Sequence, residues 1–193
     1  MKTDFQREVP IEGGVVELRL MAATDEGKVL AFAQSLPTHD LLFLPRDITQ
    51  PKVLAAWVRA IDAGTMTTLL AWEGDHVVGC AAIFRDPHSW SPHVGELRVV
   101  TAPSVRGRGA GRALIQSCFA IMVQNGIEKI MAHMTIDQQG AIAVFESLGF
   151  RSEGLLREQV QDRDGKRHDI VILSHDVAKV LGQMSAYGVT RAF

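Results

Sequence analysis

Arginine and glycine alternate in one short segment whose composition suits the binding of an anion. The segment reads Arg106-Gly107-Arg108-Gly109-Ala110-Gly111-Arg112, and apolar residues at helical spacing follow it directly. The first turn of a helix leaves about four N–H groups without partners and carries about half a positive charge. Glycines let the backbone approach an anion closely, and arginines add full charges. The segment predicts a diphosphate site at a helix N-terminus; the alternative is a solvated basic turn.

Two common phosphate-binding patterns do not fit this segment. The P-loop pattern GxxxxGK[ST] is absent, which argues against a nucleoside triphosphatase. The dinucleotide pattern GxGxxG fails as well, because Gly107 and Gly109 fit it but Arg112 occupies the third glycine position. The segment also lies in the middle of the chain, whereas the dinucleotide loop follows the first strand of its fold.

Hydrophobic periodicity places the segment between a strand and a helix of a mixed α/β domain. Strands are predicted for residues 15–21, 67–72, 76–84, 94–101 and 127–136, and a hairpin that turns at Asp164-Gly165 is predicted for 150–173. Helices are predicted for residues 25–35, 51–64, 110–125 and 138–148. This order predicts an α/β (mixed α+β) fold with a largely antiparallel twisted sheet, a central βαβ unit and flanking helices. We expect one domain over residues 1–193, with its core at about 15–175 and a C-terminal helix and tail at 176–193.

Two motifs carry a resemblance to a known family. Arg106 to Gly111 resembles the R/Q-x-x-G-x-G/A signature of the GNAT superfamily of N-acetyltransferases, with Pro103 three residues ahead of the arginine as is usual there. Residues 141–150, AIAVFESLGF, resemble that family's helix-to-strand segment, often written A-x-x-L/F-Y-x-x-x-G-F. Both motifs lie on the expected elements and in the expected order.

The resemblance implies that acetyl-CoA binds here as cosubstrate and that its acetyl group is transferred to a primary amine. The amine, on a small molecule, a protein lysine or a protein N-terminus, would attack directly in a ternary complex. The pyrophosphate would lie on the loop from Arg106 to Gly111, with Arg112 nearby. The pantetheine arm would enter a slot where the strands 94–101 and 127–136 splay apart. It would pair with Val99, Val100 and Thr101 and contact Gln138, which stands where the family usually has asparagine.

The attack on a thioester needs a neutral amine, so a proton acceptor is expected near the slot. Deprotonating an ammonium group of pKa near 10.4 costs about 4.6 kcal/mol at pH 7. Glu96 begins the strand that lines the predicted slot, and many family members place a carboxylate in this region. Glu96 is therefore the candidate base, and the alternative is a surface glutamate paired with Arg98. His133, on the neighbouring strand, is a second candidate.

The departing thiolate lacks the family's usual proton donor. Many family members have a tyrosine where this chain has Phe145, and Tyr187, the one tyrosine of the chain, lies in the C-terminal tail. Three consequences are open: the thiolate leaves unprotonated, Ser147 or a water protonates it, or the chain binds acetyl-CoA without efficient catalysis. The last of these is the alternative function, a non-catalytic acyl-CoA-binding or sensor domain.

Composition excludes several other classes of protein. Lys and Arg total 20 against 22 Asp and Glu, and a formal net charge of −2 argues against nucleic acid as a partner. No apolar run reaches the ~18 residues of a membrane span, and residues 1–8 show no signal peptide, so we expect no membrane association and a cytoplasmic protein. Cys80 and Cys118 lie in apolar runs and are interpreted as reduced core residues.

Metal binding and dimerisation are the remaining expectations. His76, His88 and His93 lack the spacing of a metal site, so no metal is expected. The tail at residues 183–193 could cover a partner subunit or be disordered, which leaves a homodimer open.

Overall fold

Strands and helices follow one another along the chain in this computed structural model, which describes residues 5–42, 44 and 46–177. The strands are β1 (Gln6–Ile11), β2 (Gly14–Leu20), β3 (Met66–Glu73), β4 (His76–Phe84), β5 (Val94–Thr101), β6 (Lys129–Thr135), β7 (Arg151–Gln161) and β8 (Arg167–Asp176). The helices are α1 (Glu26–Ser35), α2 (Pro51–Asp62), α3 (Ala110–Gln124) and α4 (Gln139–Ser147). Short 3-10 helices lie at Ala23–Asp25, Thr38–Leu41 and Pro103–Val105.

The eight strands form one sheet in the order β1-β2-β3-β4-β5-β6-β8-β7. Among the described strands, only β5 and β6 pair in parallel, and α3 connects them. A parallel pair needs such a crossover connection, whereas the antiparallel pairs β1–β2, β3–β4 and β7–β8 are consecutive strands joined by short turns. The predicted fold, a largely antiparallel sheet with a central βαβ unit, is confirmed.

Helices cover both faces of the sheet at β4, where residues 77–83 are all buried. Helix α3 packs on one face through Leu114 and Cys118, and α1 and α2 pack on the other through Val29 and Leu54. A strand covered on both faces has an uninterrupted apolar sequence, as β4 has. Both cysteines are buried and free, and burial raises the pKa of the Cys80 thiol to about 12. They are core residues, as the sequence predicts.

Strand β1 was not among the predicted strands. It forms a hairpin with β2 that turns at Glu12 and Gly13, where Gly13 has a φ of 77°. Its side chains are mostly exposed and polar because β1 is an edge strand, and Pro10 lacks the N–H that a central strand would need. Backbone pairing to β2 holds this strand, and Val9 and Ile11 pack partly buried against the core, an alternation too short to reveal the strand in the sequence.

The pairing of β5 with β6 is short, and this shapes the site. Only three residue pairs are in register, from Val94–Lys129 to Glu96–Met131. Beyond Glu96, β5 remains paired with β4, while β6 pairs with β8 as far as Thr135–Ile170. The two strands therefore splay apart toward their carboxyl ends, as the slot requires.

The sequence also predicts a C-terminal tail and the absence of a membrane span. The predicted C-terminal tail lies outside the described residues from 178 onward. In the part of the chain that the structure describes, none of the helices has the length and apolar character to cross a bilayer.

A half-buried ion pair fixes the start of α1 against the sheet. Arg19 on β2 donates to both carboxylate oxygens of Asp25, at 2.7 and 2.8 Å, and its guanidinium lies 4.3 Å from the centroid of the Trp72 ring. Asp25 also accepts the Ala22 N–H at 2.8 Å. The hydrogen bond from Arg19, with that of Ala22 and the charge of Arg19, outweighs the effect of burial and lowers the pKa of Asp25.

We expect Asp25→Asn to lower the free energy of unfolding by about 2 kcal/mol near pH 7, because Arg19 loses its charged partner. A carboxylate with a lowered pKa stabilises the fold above its ordinary pKa and loses this effect as the pH falls through the lowered value. The difference between the two proteins should therefore shrink toward about pH 3 in urea unfolding. The control is Asp75→Asn, which breaks the exposed ion pair between Asp75 in the β3–β4 turn and Lys28 on α1. This variant should lower the free energy of unfolding far less.

Candidate active site

The open end of the splay leads into a cavity of about 590 Å³. One wall is the end of β5, one is the loop and first turn of α3, and one is the turn before α4 together with that helix. Ten of the predicted cofactor-binding residues line it: Val99, Val100, Thr101, Arg106, Gly107, Gly109, Gly111, Arg112, Gln138 and Phe145. The structure therefore brings together residues that the sequence places in three separate segments.

The N-terminus of α3 is left uncapped at this cavity. Gly109 is the N-cap residue with a φ of 99°, and no side chain caps the helix. Gly107 also has a positive φ, of 72°, and at both glycines no atom lies within 4 Å of the place where a Cβ would stand. Other residue types adopt this backbone conformation only at a cost of about 1 kcal/mol or more. The glycines thus hold an open helix end, whose N–H groups and dipole favour a bound anion.

The three arginines of the loop have different surroundings. Arg106 binds Asp40 on the 3-10 helix Thr38–Leu41 at 2.5 Å and the Thr101 carbonyl at 3.1 Å. Arg112 donates to the Ser147 hydroxyl at 2.6 Å. Both side chains line the cavity and can be redirected to an anion.

Arg108 faces away from the cavity. Its guanidinium binds the Glu12 carbonyl at 2.6 Å, the Ser104 carbonyl at 3.2 Å and the Glu73 carboxylate at 3.0 Å. Ala110 is fully buried in the core. These two residues of the predicted set do not line the cavity: Arg108 fastens the loop to the β1–β2 hairpin, and Ala110 packs α3 against the sheet.

The splay leaves one edge of β5 open toward the cavity. Val99, Val100 and Thr101 pair with β4 on one side, at Ala81, Cys80 and Gly79, whereas the pairing with β6 has ended at Glu96. An extended amide chain can pair with such an edge as an added strand does.

Glu96 lies at the closed end of the splay, where it lines a second cavity of about 600 Å³ rather than the first. It forms an ion pair with Arg98, and its Oε1 lies 3.2 Å from the His133 Nδ1. Arg98 crosses to β6, with its Nη1 3.3 Å from the His133 carbonyl and its Nη2 2.9 Å from the ring Nδ1. Both candidates for the base, Glu96 and His133, are thus side by side.

Opposing effects act on the ionisation of Glu96. Burial alone would raise the pKa of this carboxyl, but the hydrogen bond from His133 and the charge of Arg98 together lower it below its usual value. Glu96 is therefore anionic at neutral pH. The predicted alternative, a pair with Arg98, is present, but the pair lies inside a cavity rather than on the surface.

Phe145 presents only carbon to the first cavity. Its ring is buried and lies edge-on to Phe150, with the centroids 4.9 Å apart. The Ser147 hydroxyl, considered above as a proton donor, already donates to the Val144 carbonyl at 2.7 Å and accepts from Arg112. Ser147 does not line the cavity, so the structure gives it no place beside a departing thiolate.

Two acidic residues of the site were not predicted. Asp40 and Asp137 both line the first cavity, and Asp137 lies 3.0 Å from the His39 Nε2. Burial opposes the ionisation of Asp137, but hydrogen bonds from Thr135 and His39 and the charge of His39 lower its pKa. Both lie outside the glycine-rich loop in the sequence and belong to no recognised motif, so no local pattern marks them.

Comparisons with known proteins agree with this geometry. The sequence model of the acetyltransferase (GNAT) family matches residues 38–150. A mycothiol acetyltransferase of Corynebacterium efficiens is 32% identical over 97 residues, which cover 50% of this chain and 30% of that relative. The chain therefore spans less than a third of the length of this curated relative.

Solved structures share the fold at low identity. A ribosomal-protein-S5-alanine acetyltransferase from Vibrio fischeri superposes with a TM-score of 0.75 at 16% identity, over 90% of this chain and 97% of that one. A structure of yncA from Salmonella typhimurium with its cofactor acetyl-CoA gives a TM-score of 0.71 at 17% identity, over 84% of this chain and 94% of that one.

The Arg98 charge should control the ionisation of Glu96. We expect Arg98→Met to raise the pKa of Glu96, because burial remains while the neighbouring positive charge is lost. An NMR titration of the ¹³C-labelled glutamate carboxyl groups, with Glu96→Gln to assign the signal, measures this change. Arg85→Met, which removes another arginine from the same cavity, is the control; an equal shift in both variants would contradict the assignment.

Proposed function

Since this chain belongs to the GNAT family of acetyltransferases, we propose that it transfers the acetyl group of acetyl-CoA to a primary amine by direct attack in a ternary complex. The observation that carries the proposal is a single cavity in which the uncapped N-terminus of α3 meets the open edge of β5. One end suits a diphosphate and the other an extended amide chain, which are the two ends of the CoA arm. Relatives named as acetyltransferases support the same activity.

The loop holds the diphosphate in this proposal. The N–H groups from Gly107 to Arg112 face the phosphates, and Arg106 exchanges its carboxylate partner Asp40 for a phosphate. Val99, Val100 and Thr101 offer their open edge to the pantetheine amides, and the Gln138 amide lies on the opposite wall. Arg108 and Ala110 keep the loop and helix in place rather than contacting the cosubstrate.

Glu96 supplies the negative charge and the proton acceptor for the amine. The lowered pKa of Glu96 makes its carboxylate a weak base. Its main effects are to attract the ammonium form of the acceptor amine and to accept a proton from the amine nitrogen once that nitrogen has begun to bond to the thioester carbon. The second cavity gives the amine an approach to the closed end of the splay. Below the amine pKa, the neutral fraction increases tenfold with each pH unit, so the rate should climb with pH.

The thiolate leaves without help from the side chain at position 145. Phe145 donates no hydrogen bond, and a thiol pKa near 8.5 makes the thiolate a fair leaving group without protonation. The same residue favours the second candidate function, an acyl-CoA-binding domain without turnover. The two functions differ in one measurable property, the release of CoA when an amine is present.

CoA release by the purified chain tests the proposal. Acetyl-CoA is supplied with amines, amino acids and lysine peptides at pH values between about 7 and 9, and acetyl-CoA binding is measured in the same samples by thermal shift. Acceptor-dependent release establishes the transferase, and the best acceptor identifies the substrate class. Tight binding with no release from any acceptor supports the binding domain instead.

Arg106→Glu tests the cosubstrate site. We expect acetyl-CoA affinity to fall at least about a hundredfold, because two carboxylates would then face the diphosphate. Isothermal calorimetry measures the affinity, and circular dichroism verifies the fold. The control Arg7→Glu makes the same charge change on the edge strand β1, and similar affinities for the two variants would remove Arg106 from the site.

Glu96→Gln tests the role of the carboxylate. We expect acetyl-CoA affinity to be retained while kcat falls by about a hundredfold near pH 7 and by less at higher pH, where more amine is already neutral. The pH–rate profile is the measurement. Asp86→Asn removes another acid from the same cavity and should leave the profile unchanged; an unchanged profile in Glu96→Gln excludes Glu96 from the reaction.

A further inference from the structure

Two histidines and an aspartate converge beside the first cavity from three separate segments. His39 lies on the 3-10 helix Thr38–Leu41, Asp137 lies in the turn between β6 and α4, and His168 lies on β8. One ligand atom from each residue lies within 4.8 Å of the other two. The His39 Nε2 is 3.0 Å from the Asp137 Oδ2, and the two imidazole rings are 5.1 Å apart between centroids.

Each histidine has a carboxylate partner, His39 with Asp137 and His168 with Asp162, but these contacts do not explain why the two imidazole rings lie next to each other. A protonated His168 beside a protonated His39 would add a repulsion between like charges. Two neutral imidazoles and one carboxylate, by contrast, present lone pairs that a cation can share. They form a donor set typical of Zn²⁺ and similar transition-metal ions, whereas Mg²⁺ and Ca²⁺ prefer oxygen ligands alone.

A second carboxylate orients His168. The His168 Nε2 is 2.8 Å from the Asp162 Oδ2, and both side chains are mostly buried, with exposed fractions of 9% and 15%. The other oxygen of Asp162 accepts the N–H groups of Asp164 and Lys166, at 3.0 and 2.9 Å. When Nε2 donates to Asp162, the neutral ring carries its lone pair on Nδ1. Histidine ligands of metals are held by a carboxylate in this manner.

Thr135 contacts the other two residues of the cluster, His39 and Asp137. Thr135 is fully buried, donates a hydrogen bond to the Asp137 carboxylate, and has its hydroxyl 3.5 Å from the His39 Nε2. His39 and Asp137 are partly exposed, so their side chains can rotate toward the better fixed His168. Tetrahedral donors about 2.0–2.1 Å from an ion lie about 3.3 Å from one another, so donor atoms that now lie within 4.8 Å need to approach one another by at most ~1.5 Å.

We propose that His39, Asp137 and His168 bind one divalent transition-metal ion of the Zn²⁺ type, with Asp162 holding His168 in position. The fourth ligand position is left to water. The bound ion would fasten the 3-10 helix Thr38–Leu41 to β8 and to the turn before α4. That helix carries Asp40, the partner of Arg106, so the ion would fix a wall of the first cavity.

The test uses the full chain without a polyhistidine tag, stripped of metal with a chelator. Co²⁺ is added and its visible absorption is recorded, and Zn²⁺ binding is measured by calorimetry, both without acetyl-CoA. We expect one ion per chain and the intense absorption of tetrahedral Co²⁺. His168→Ala and His39→Gln should abolish the tetrahedral spectrum, and Asp162→Asn should weaken Zn²⁺ binding by about tenfold or more.

His88→Ala is the matched control, because it removes an exposed histidine outside the cluster and should leave binding intact. His39→Gln keeps the proposal testable if His168→Ala fails to fold, because His39 is partly exposed. The absence of stoichiometric binding, or binding that survives both histidine substitutions in folded protein, would overturn the proposal. Neither result depends on acetyl transfer, so failure here leaves the proposed function standing.

Discussion

The short parallel pairing of β5 with β6 is the constraint on which the site depends. Only three residue pairs join the strands, and the closed end is packed tightly, because a Cβ at Gly95 would overlap Met122 and Ile127 of the core. Past Glu96, β5 continues along β4 and β6 continues along β8, so the two strands diverge from each other. The eight strands remain one sheet, although β5 and β6 separate toward their carboxyl ends. Backbone groups that a continuous sheet would use internally thus become available to a ligand.

The two ends of the splay between β5 and β6 carry different functional groups. The open end carries the uncapped N-terminus of α3, and the closed end carries Glu96 in its ion pair with Arg98. Arg98 sits between them and reaches across to the carbonyl of His133. The hydrogen bond from His133 and the charge of Arg98 together lower the pKa of Glu96 despite its burial. In the proposed function, the diphosphate and the ammonium group lie at opposite ends of the splay, which is the arrangement of a ternary complex rather than of sequential use of a single pocket.

Sequence alone predicts those parts of the site whose residues are consecutive. The loop from Arg106 to Arg112 and the end of the strand before it line the cavity. Because these residues are consecutive, the motif and the helical periodicity that follows it predict where they lie. The direction of the Arg108 side chain is not set locally, because it depends on the β1–β2 hairpin, whose first strand is too short and too exposed to be recognised from hydrophobic alternation. Asp40 and the His39–Asp137–His168 cluster likewise depend on segments that meet only after folding.

In the proposed acetyl transfer, a phenylalanine at position 145 is compatible with the basicity of the two groups that compete in the reaction. An amine nitrogen with a conjugate-acid pKa near 10.4 must lose a proton, whereas a thiolate with a thiol pKa near 8.5 must leave. The thiolate is the less basic of the two by about two units, so collapse of the tetrahedral intermediate favours its departure even when it is unprotonated. Removal of the proton from nitrogen is then the harder step. A chain that retains an anionic Glu96 can replace a proton donor at position 145 with a ring that packs against Phe150.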